Sequence, residues 1–160
     1  MLYFVHIDFR QAHMLGEADG GRAFASGKDR EGKRTMLIAY DSRTGNVRKF
    51  VSKLNMRSVQ IEESMTLDEP FVLVTYTTGF GQVPEKVASF LRRNHRRLQG
   101  VAASGNRNWG HNFALSADLV ARQYGVPVLG KFELAGTPGD VQRFMTEVNA
   151  ACGTLSLTTC

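Results

Sequence analysis

From residue 36 onward, short apolar runs and amphipathic stretches take turns along the chain, and this alternation is the strongest constraint on what it can fold into. Residues 37–40 (Leu-Ile-Ala-Tyr) and 71–76 (Phe-Val-Leu-Val-Thr-Tyr) are apolar runs of strand length bounded by turn residues, as strands buried on both faces require. Between and after them apolar residues recur at helical spacing: Val47, Phe50, Val51 and Leu54, then Val83, Val87, Phe90 and Leu91 around Pro84. The pattern predicts strands at 37–40, 58–61, 71–76, 100–104 and 126–134, and helices at 47–54, from Pro84 onward, 113–124 and 140–151. Pro84 is expected at the first helical position, where its missing N–H costs nothing. Strands alternating with helices in this way predict an α/β domain, a doubly wound five-stranded parallel sheet with helices on both faces.

Residues 1–35 read differently, with scattered glycines, charges of both signs and no sustained period. They are expected to be an N-terminal extension, disordered or derived from upstream or cloning sequence, with the folded domain spanning 36–160. The opening Met-Leu-Tyr-Phe-Val-His-Ile-Asp lacks the basic start, long apolar stretch and small-residue cleavage site of a signal peptide. Cys152 and Cys160 have no CxxC spacing, so neither a disulfide framework nor a dithiol relay is indicated, and a reducing, cytoplasmic location is expected. No apolar run approaches the roughly 18 residues of a membrane span. The net charge is +5, and residues 36–160 hold 14 Lys and Arg against 10 Asp and Glu, so the excess belongs to the domain. Nucleic acid is not expected as a partner, because the charge is not interleaved with aromatics. The densest cluster, Arg92-Arg93-Asn94-His95-Arg96-Arg97, falls where a helix should end, and cations are favoured there by the helix dipole.

A doubly wound sheet binds ligands beyond the carboxyl ends of its strands, which directs attention to three loops. The first, Asp41-Ser-Arg-Thr-Gly-Asn46, runs straight into a helix. Unpaired N–H groups and the positive dipole end make such a place a phosphate cradle, although Ser, Thr and Asn also cap helices. No lysine stands in Walker A spacing, which disfavours a nucleoside triphosphate. The second, Tyr76-Thr-Thr-Gly-Phe-Gly-Gln-Val-Pro84, has two glycines that permit positive φ and close approach of backbone to a flat ligand. The third, Ser104-Gly-Asn-Arg-Asn-Trp-Gly-His111, carries the only tryptophan of the chain among polar residues, a good stacking surface for an aromatic ring. Together the loops describe a site for a mononucleotide with a large flat head.

The first loop resembles the phosphate loop of flavodoxins. More narrowly, residues 36–47, the Thr75-Tyr-Thr-Thr-Gly-Phe-Gly81 segment with Val83-Pro84, the Gly100-to-Gly110 segment ending in Asn-Arg-Asn-Trp-Gly, and Lys131-Phe-Glu-Leu-Ala-Gly-Thr137 are similar to the NrdI family of flavodoxin-like proteins. The resemblance implies a flavodoxin-like sheet of order 2-1-3-4-5 with FMN as cofactor. It implies that reduced FMN and O₂ yield superoxide or a peroxide-level oxidant. The resemblance implies that the oxidant would serve the radical-bearing small subunit of class Ib ribonucleotide reductase, where it would assemble a dimanganese-tyrosyl radical cofactor. An unidentified reductant would load the flavin. Carried over by position, Ser42, Arg43, Thr44, Gly45, Asn46 and Val47 would hold phosphate. Tyr76, Thr77, Thr78, Gly79, Phe80 and Gly81 would form one wall of the ring site, and Asn106, Asn108, Trp109 and Gly110 the other. A peptide flip at Thr78-Gly79 would offer a carbonyl to the reduced ring.

The second and third loops contain no acid, while Arg43, Arg107 and His111 flank the site, so a local positive field is expected to favour an anionic reduced flavin and attract superoxide. No catalytic side chain or metal-ligand cluster is expected; the chain reads as a redox accessory protein rather than an autonomous enzyme. The alternatives are a general electron-transfer flavodoxin, and a flavin-free regulatory binding module of the receiver kind. The latter needs an acidic cluster and an Asp closing the third strand, where this chain has Thr75-Tyr76.

Overall fold

The computed structural model describes residues 35–158, with side chains described to residue 153; the N-terminal extension expected at 1–35 falls outside the described residues except at Thr35. Five strands, β1 (Leu37–Tyr40), β2 (Ser58–Gln60), β3 (Phe71–Tyr76), β4 (Leu98–Gly105) and β5 (Val128–Glu133), form one sheet of order β2-β1-β3-β4-β5. Every pairing is parallel. Four α-helices connect or follow them: α1 (Asn46–Leu54), α2 (Glu85–Asn94), α3 (Leu115–Tyr124) and α4 (Pro138–Thr158). This is the expected doubly wound sheet. No helix among the described residues is long and apolar enough to cross a membrane.

Because strand side chains alternate, β1, β3 and β4 each feed two cores. Leu37, Ala39, Leu73, Val101 and Ala103 pack on one face with Val87, Phe90 and Leu91 of α2 and Ala117 and Val120 of α3. Ile38, Val72, Val74 and Ala102 pack on the other with Phe50 and Leu54 of α1 and Phe144 and Val148 of α4. In the second core the Phe50 and Phe132 rings stack at 3.8 Å between centroids, and Phe144 meets Phe50 edge-on at 5.5 Å.

The element boundaries depart from the sequence pattern at identifiable residues. β5 starts at Val128, two residues later than expected: Pro127 has no N–H for the ladder, and Gly125 (φ +67) caps α3 in the left-handed region. It stops before Leu134, whose φ of +54 turns the chain out of the sheet. Pro84 lies just outside α2, with φ −57 and ψ 139, and its carbonyl accepts the Ala88 N–H at 2.9 Å; it caps the helix rather than opening it. The helix expected from residue 113 begins at Leu115, because Phe113 is extended and Ala114 left-handed. The basic run falls where the pattern placed it, with Arg92 and Arg93 in the last turn of α2 and His95–Arg97 in a 3₁₀ turn after it.

Phe132→Ala removes the ring that Phe50 stacks on, at a site with 1% exposure, and should lower the unfolding free energy by about 3–5 kcal/mol. Urea unfolding followed by circular dichroism measures this directly; a loss below about 1 kcal/mol would mean that the second core closes around the cavity.

Candidate functional site

Since all five strands run in one direction, the loops that follow them leave the sheet at the same edge. The order reverses between β1 and β3, so the loop after β1 and the loop after β3 leave neighbouring strands while their helices pack on opposite faces. A crevice at this place follows from topology.

The first loop is built to leave N–H groups unspent. Gly45, at φ +89 and ψ −9, turns the chain into α1 in a conformation that glycine adopts without strain. The Ser42 hydroxyl oxygen accepts the Arg48 N–H at 3.2 Å, and the Lys49 N–H bonds to the Gly45 carbonyl at 2.9 Å. Among the described residues the N–H groups of Thr44, Gly45, Asn46 and Val47 meet no protein acceptor. Val47 offers only its N–H, because its side chain is buried in the core with α1. The first turn of α1 carries no acid and is followed by Arg48 and Lys49, both exposed. Cations at a helix N-terminus cost about 0.3–1 kcal/mol each, a cost that a bound anion removes.

Beneath this loop lies a charged cluster that the sequence pattern did not reveal. Asp41, buried at the end of β1, accepts from Lys86 of α2 at 3.3 Å and faces the Tyr76 hydroxyl at the end of β3. Burial, then the charge of Asp41 facing it, push the Tyr76 hydroxyl pKa above its ordinary value, while Arg43 works in the opposite sense. Lys86 is a cation in the first turn of a helix, where the dipole disfavours it; that placement was the available signal.

The second loop is a closed turn. Thr78 N–H donates to the Gln82 carbonyl at 2.9 Å, and the Thr78 carbonyl accepts from Gln82 N–H at 2.8 Å and Gly81 N–H at 3.1 Å. The Thr78-Gly79 peptide therefore has to release two hydrogen bonds before its carbonyl can turn outward. Thr77 is buried, with its hydroxyl 2.8 Å from that of Ser116 on α3, so its side chain faces the protein. Phe80 stands 90% exposed at the tip. Gly81 packs against Leu115, where a Cβ would come within 2.6 Å of a side-chain methyl.

The third loop, expected as irregular chain, consists of two short 3₁₀ turns over Arg107–Asn112 joined at Gly110, whose φ of +52 and ψ of −120 require glycine. The Asn106 side chain accepts the Asn108 N–H at 2.9 Å, and Trp109 is 42% exposed. Arg107 is not a lone cation. Its guanidinium lies 3.8 Å from Glu133 at the end of β5, and its N–H donates to the same carboxylate at 3.2 Å. The positive field expected from the flanking loops is thus partly cancelled by an acid at the end of β5, leaving Arg43 and the exposed His111. A cleft of about 450 Å³ between β5 and α4, lined by Phe50, Phe132, Arg143 and Phe144, includes no residue of the three loops.

Solved structures place this architecture among the flavodoxins. A short-chain flavodoxin associated with a non-canonical PDU bacterial microcompartment superposes with a TM-score of 0.53 at 22% identity, covering 75% of this chain and 97% of that one. The flavodoxin of Streptococcus pneumoniae TIGR4 gives 0.52 at 18% identity, covering 74% and 98%. At these identities the likeness is one of fold, and the chain is of the flavodoxin-like class. Sequence relatives narrow the class. Protein NrdI of Bacillus licheniformis is 59% identical over 114 residues, 69% of this chain and 86% of the relative. Protein NrdI of Macrococcus caseolyticus is 46% identical over 114 residues, 71% and 88% of the two chains. The model of the family described as NrdI flavodoxin-like matches residues 38–146, and this chain belongs to that family. The fold and the family imply flavin binding.

Asp41→Asn removes the negative charge facing Tyr76 and should lower the pKa of that hydroxyl, without abolishing the elevation due to burial. Tyrosinate absorbance against pH, with Tyr76→Phe to assign the transition, measures it; an unchanged curve would dissolve the Asp41-Tyr76 contact.

Proposed function

We propose that this chain binds FMN and acts as the oxidant-supplying partner of class Ib ribonucleotide reductase. In this reading it delivers superoxide or a peroxide-level species to the dimanganese site of the radical-bearing small subunit in the cytoplasm. The observation that carries the cofactor is the set of four open N–H groups at the start of α1, beside two loops that each expose a large aromatic residue, Phe80 and Trp109. The chain's own residues fit FMN on a second count. A Cβ at Gly45 or at Gly110 would meet no protein atom within 4 Å, so both loops keep an open face where their glycines bend. The identity to proteins named NrdI supports the partner.

In this reading the N–H groups of Thr44, Gly45, Asn46 and Val47 hold the phosphate, with Ser42 capping α1 beneath it and Arg43 adding charge. Thr78, Gly79, Phe80 and Gly81 cover one face of the ring, and Asn106, Asn108, Trp109 and Gly110 the other. Tyr76 and Thr77 hold the second loop from beneath. FMN, once bound and reduced by a partner reductant, supplies the electrons that O₂ accepts. The protein contributes binding, exclusion of water from the ring faces and the local charge. With Arg107 engaged by Glu133, Arg43 is the principal cation left to attract an anionic oxidant.

Anaerobically reduced, FMN-loaded protein mixed with O₂ and the manganese-loaded small subunit should generate a tyrosyl radical visible by electron paramagnetic resonance. No radical would leave a general electron-transfer flavodoxin as the reading. The cofactor assignment has its own check. Gly45→Ala strains a left-handed position by about 1 kcal/mol. It should weaken FMN about fivefold and leave riboflavin, which lacks the phosphate, unaffected. Equal loss for both flavins would remove the phosphate from this loop.

A further inference from the structure

The second and third loops are joined to each other through the start of α3. Thr77 and Ser116 are 8% and 0% exposed, and their hydroxyl oxygens lie 2.8 Å apart. Ser116 spends its single proton on the Tyr76 carbonyl at 3.2 Å, so Thr77 is the donor of the pair. Its neighbours make the same join. Leu115 packs on Gly81, and Ala114, fully buried and left-handed at φ +50, seats its backbone against Gly105. Residues 114–116 are also the end of the segment that carries Asn106 to Gly110. The Thr77 N–H further bonds to the Ser104 carbonyl at 3.0 Å, and the Ser104 hydroxyl to the Leu134 carbonyl at 3.1 Å.

Stability does not call for this pair. Valine at 77 and alanine at 116 would fill the space, and replacing both partners of a buried hydrogen bond by apolar groups is close to neutral. What apolar contact cannot supply is direction: a hydrogen bond fixes both the distance and the orientation of the groups it joins. We propose that Thr77 and Ser116 form a positioning latch that sets the separation and tilt of the glycine loop relative to the tryptophan loop, and thereby the fit of the flavin ring between them. The proposal rests on the flavin reading above. The latch grips the residue immediately before the Thr78-Gly79 peptide, so the root of the loop is held whether or not that peptide gives up its bonds to Gly81 and Gln82. Preorganised walls spare the ligand the cost of ordering them.

The test is a comparison of FMN and riboflavin affinity in wild type, Thr77→Val and Thr77→Ser, together with thermal midpoints. Because the latch acts on the ring and not on the phosphate, Thr77→Val should weaken both flavins by the same factor, about fivefold for one hydrogen bond. Thr77→Ser, which keeps the hydroxyl, should restore both, and the thermal midpoint should move little when Thr77→Val is combined with Ser116→Ala. Unchanged affinities in Thr77→Val, a loss confined to one flavin, or a loss that Thr77→Ser does not restore would each overturn the latch. Should Thr77→Val not fold, Ser116→Ala is read by the same criteria against FMN and riboflavin. A wild-type protein that binds neither flavin removes the reading on which the latch rests. A wild type that binds, with Thr77→Val behaving identically, removes the latch alone.

Discussion

The pairing of β1 with β3 is the constraint from which the rest of this molecule follows. It brings Leu37 beside Phe71 and Tyr40 beside Val74, and it skips β2, so the chain must cross to the other side of β1 before continuing outward through β4 and β5. Right-handed crossovers then put α1 and α4 on one face and α2 and α3 on the other. The gap left where the order reverses is floored by the ends of β1 and β3. Both ends are polar: Asp41 and Tyr76 meet there and take up Lys86. An ionic group is stable at this depth because it is paired and because Lys86 remains one-third exposed.

The site combines two kinds of backbone economy. In the first loop, hydrogen bonds are withheld: Gly45 turns the chain so that successive N–H groups face outward without protein acceptors. In the second and third loops they are spent, on the Thr78-Gln82 turn, the Asn106-Asn108 cap and the Thr77-Ser116 pair. An anion site needs free donors, whereas a slot for a rigid ring needs walls that do not wander. The left-handed residues follow this division. Ala114, a non-glycine example, lies where the chain leaves the third loop for α3, and Leu134 where it leaves β5.

The sheet was legible because burial on both faces leaves a plain mark. Phe71 to Val74, fully buried, can be read only as an interior strand once helices flank it. The three loops were legible through punctuation: Gly45, Gly79, Gly81, Gly110 and the lone tryptophan. What escaped was contact between residues distant in sequence. Glu133 partly offsets Arg107 from 26 positions away, and Ser116 reaches Thr77 from 39; no periodicity encodes either. A trace existed for Ser116, a polar residue on the buried face of α3 beside Ala117 and Val120. Boundaries slipped where a single backbone conformation decided them, at Pro127, Leu134 and Ala114.

On the proposed function, the three loops at the carboxyl edge of the sheet together hold FMN. Amide chemical shifts recorded while FMN is titrated into the flavin-free protein test it at each residue. Large shifts are expected at Thr44 to Val47, Thr78 to Gly81 and Asn106 to Gly110, with the rest of the sheet nearly still. Shifts confined to the cleft between β5 and α4, or none at all, would contradict it.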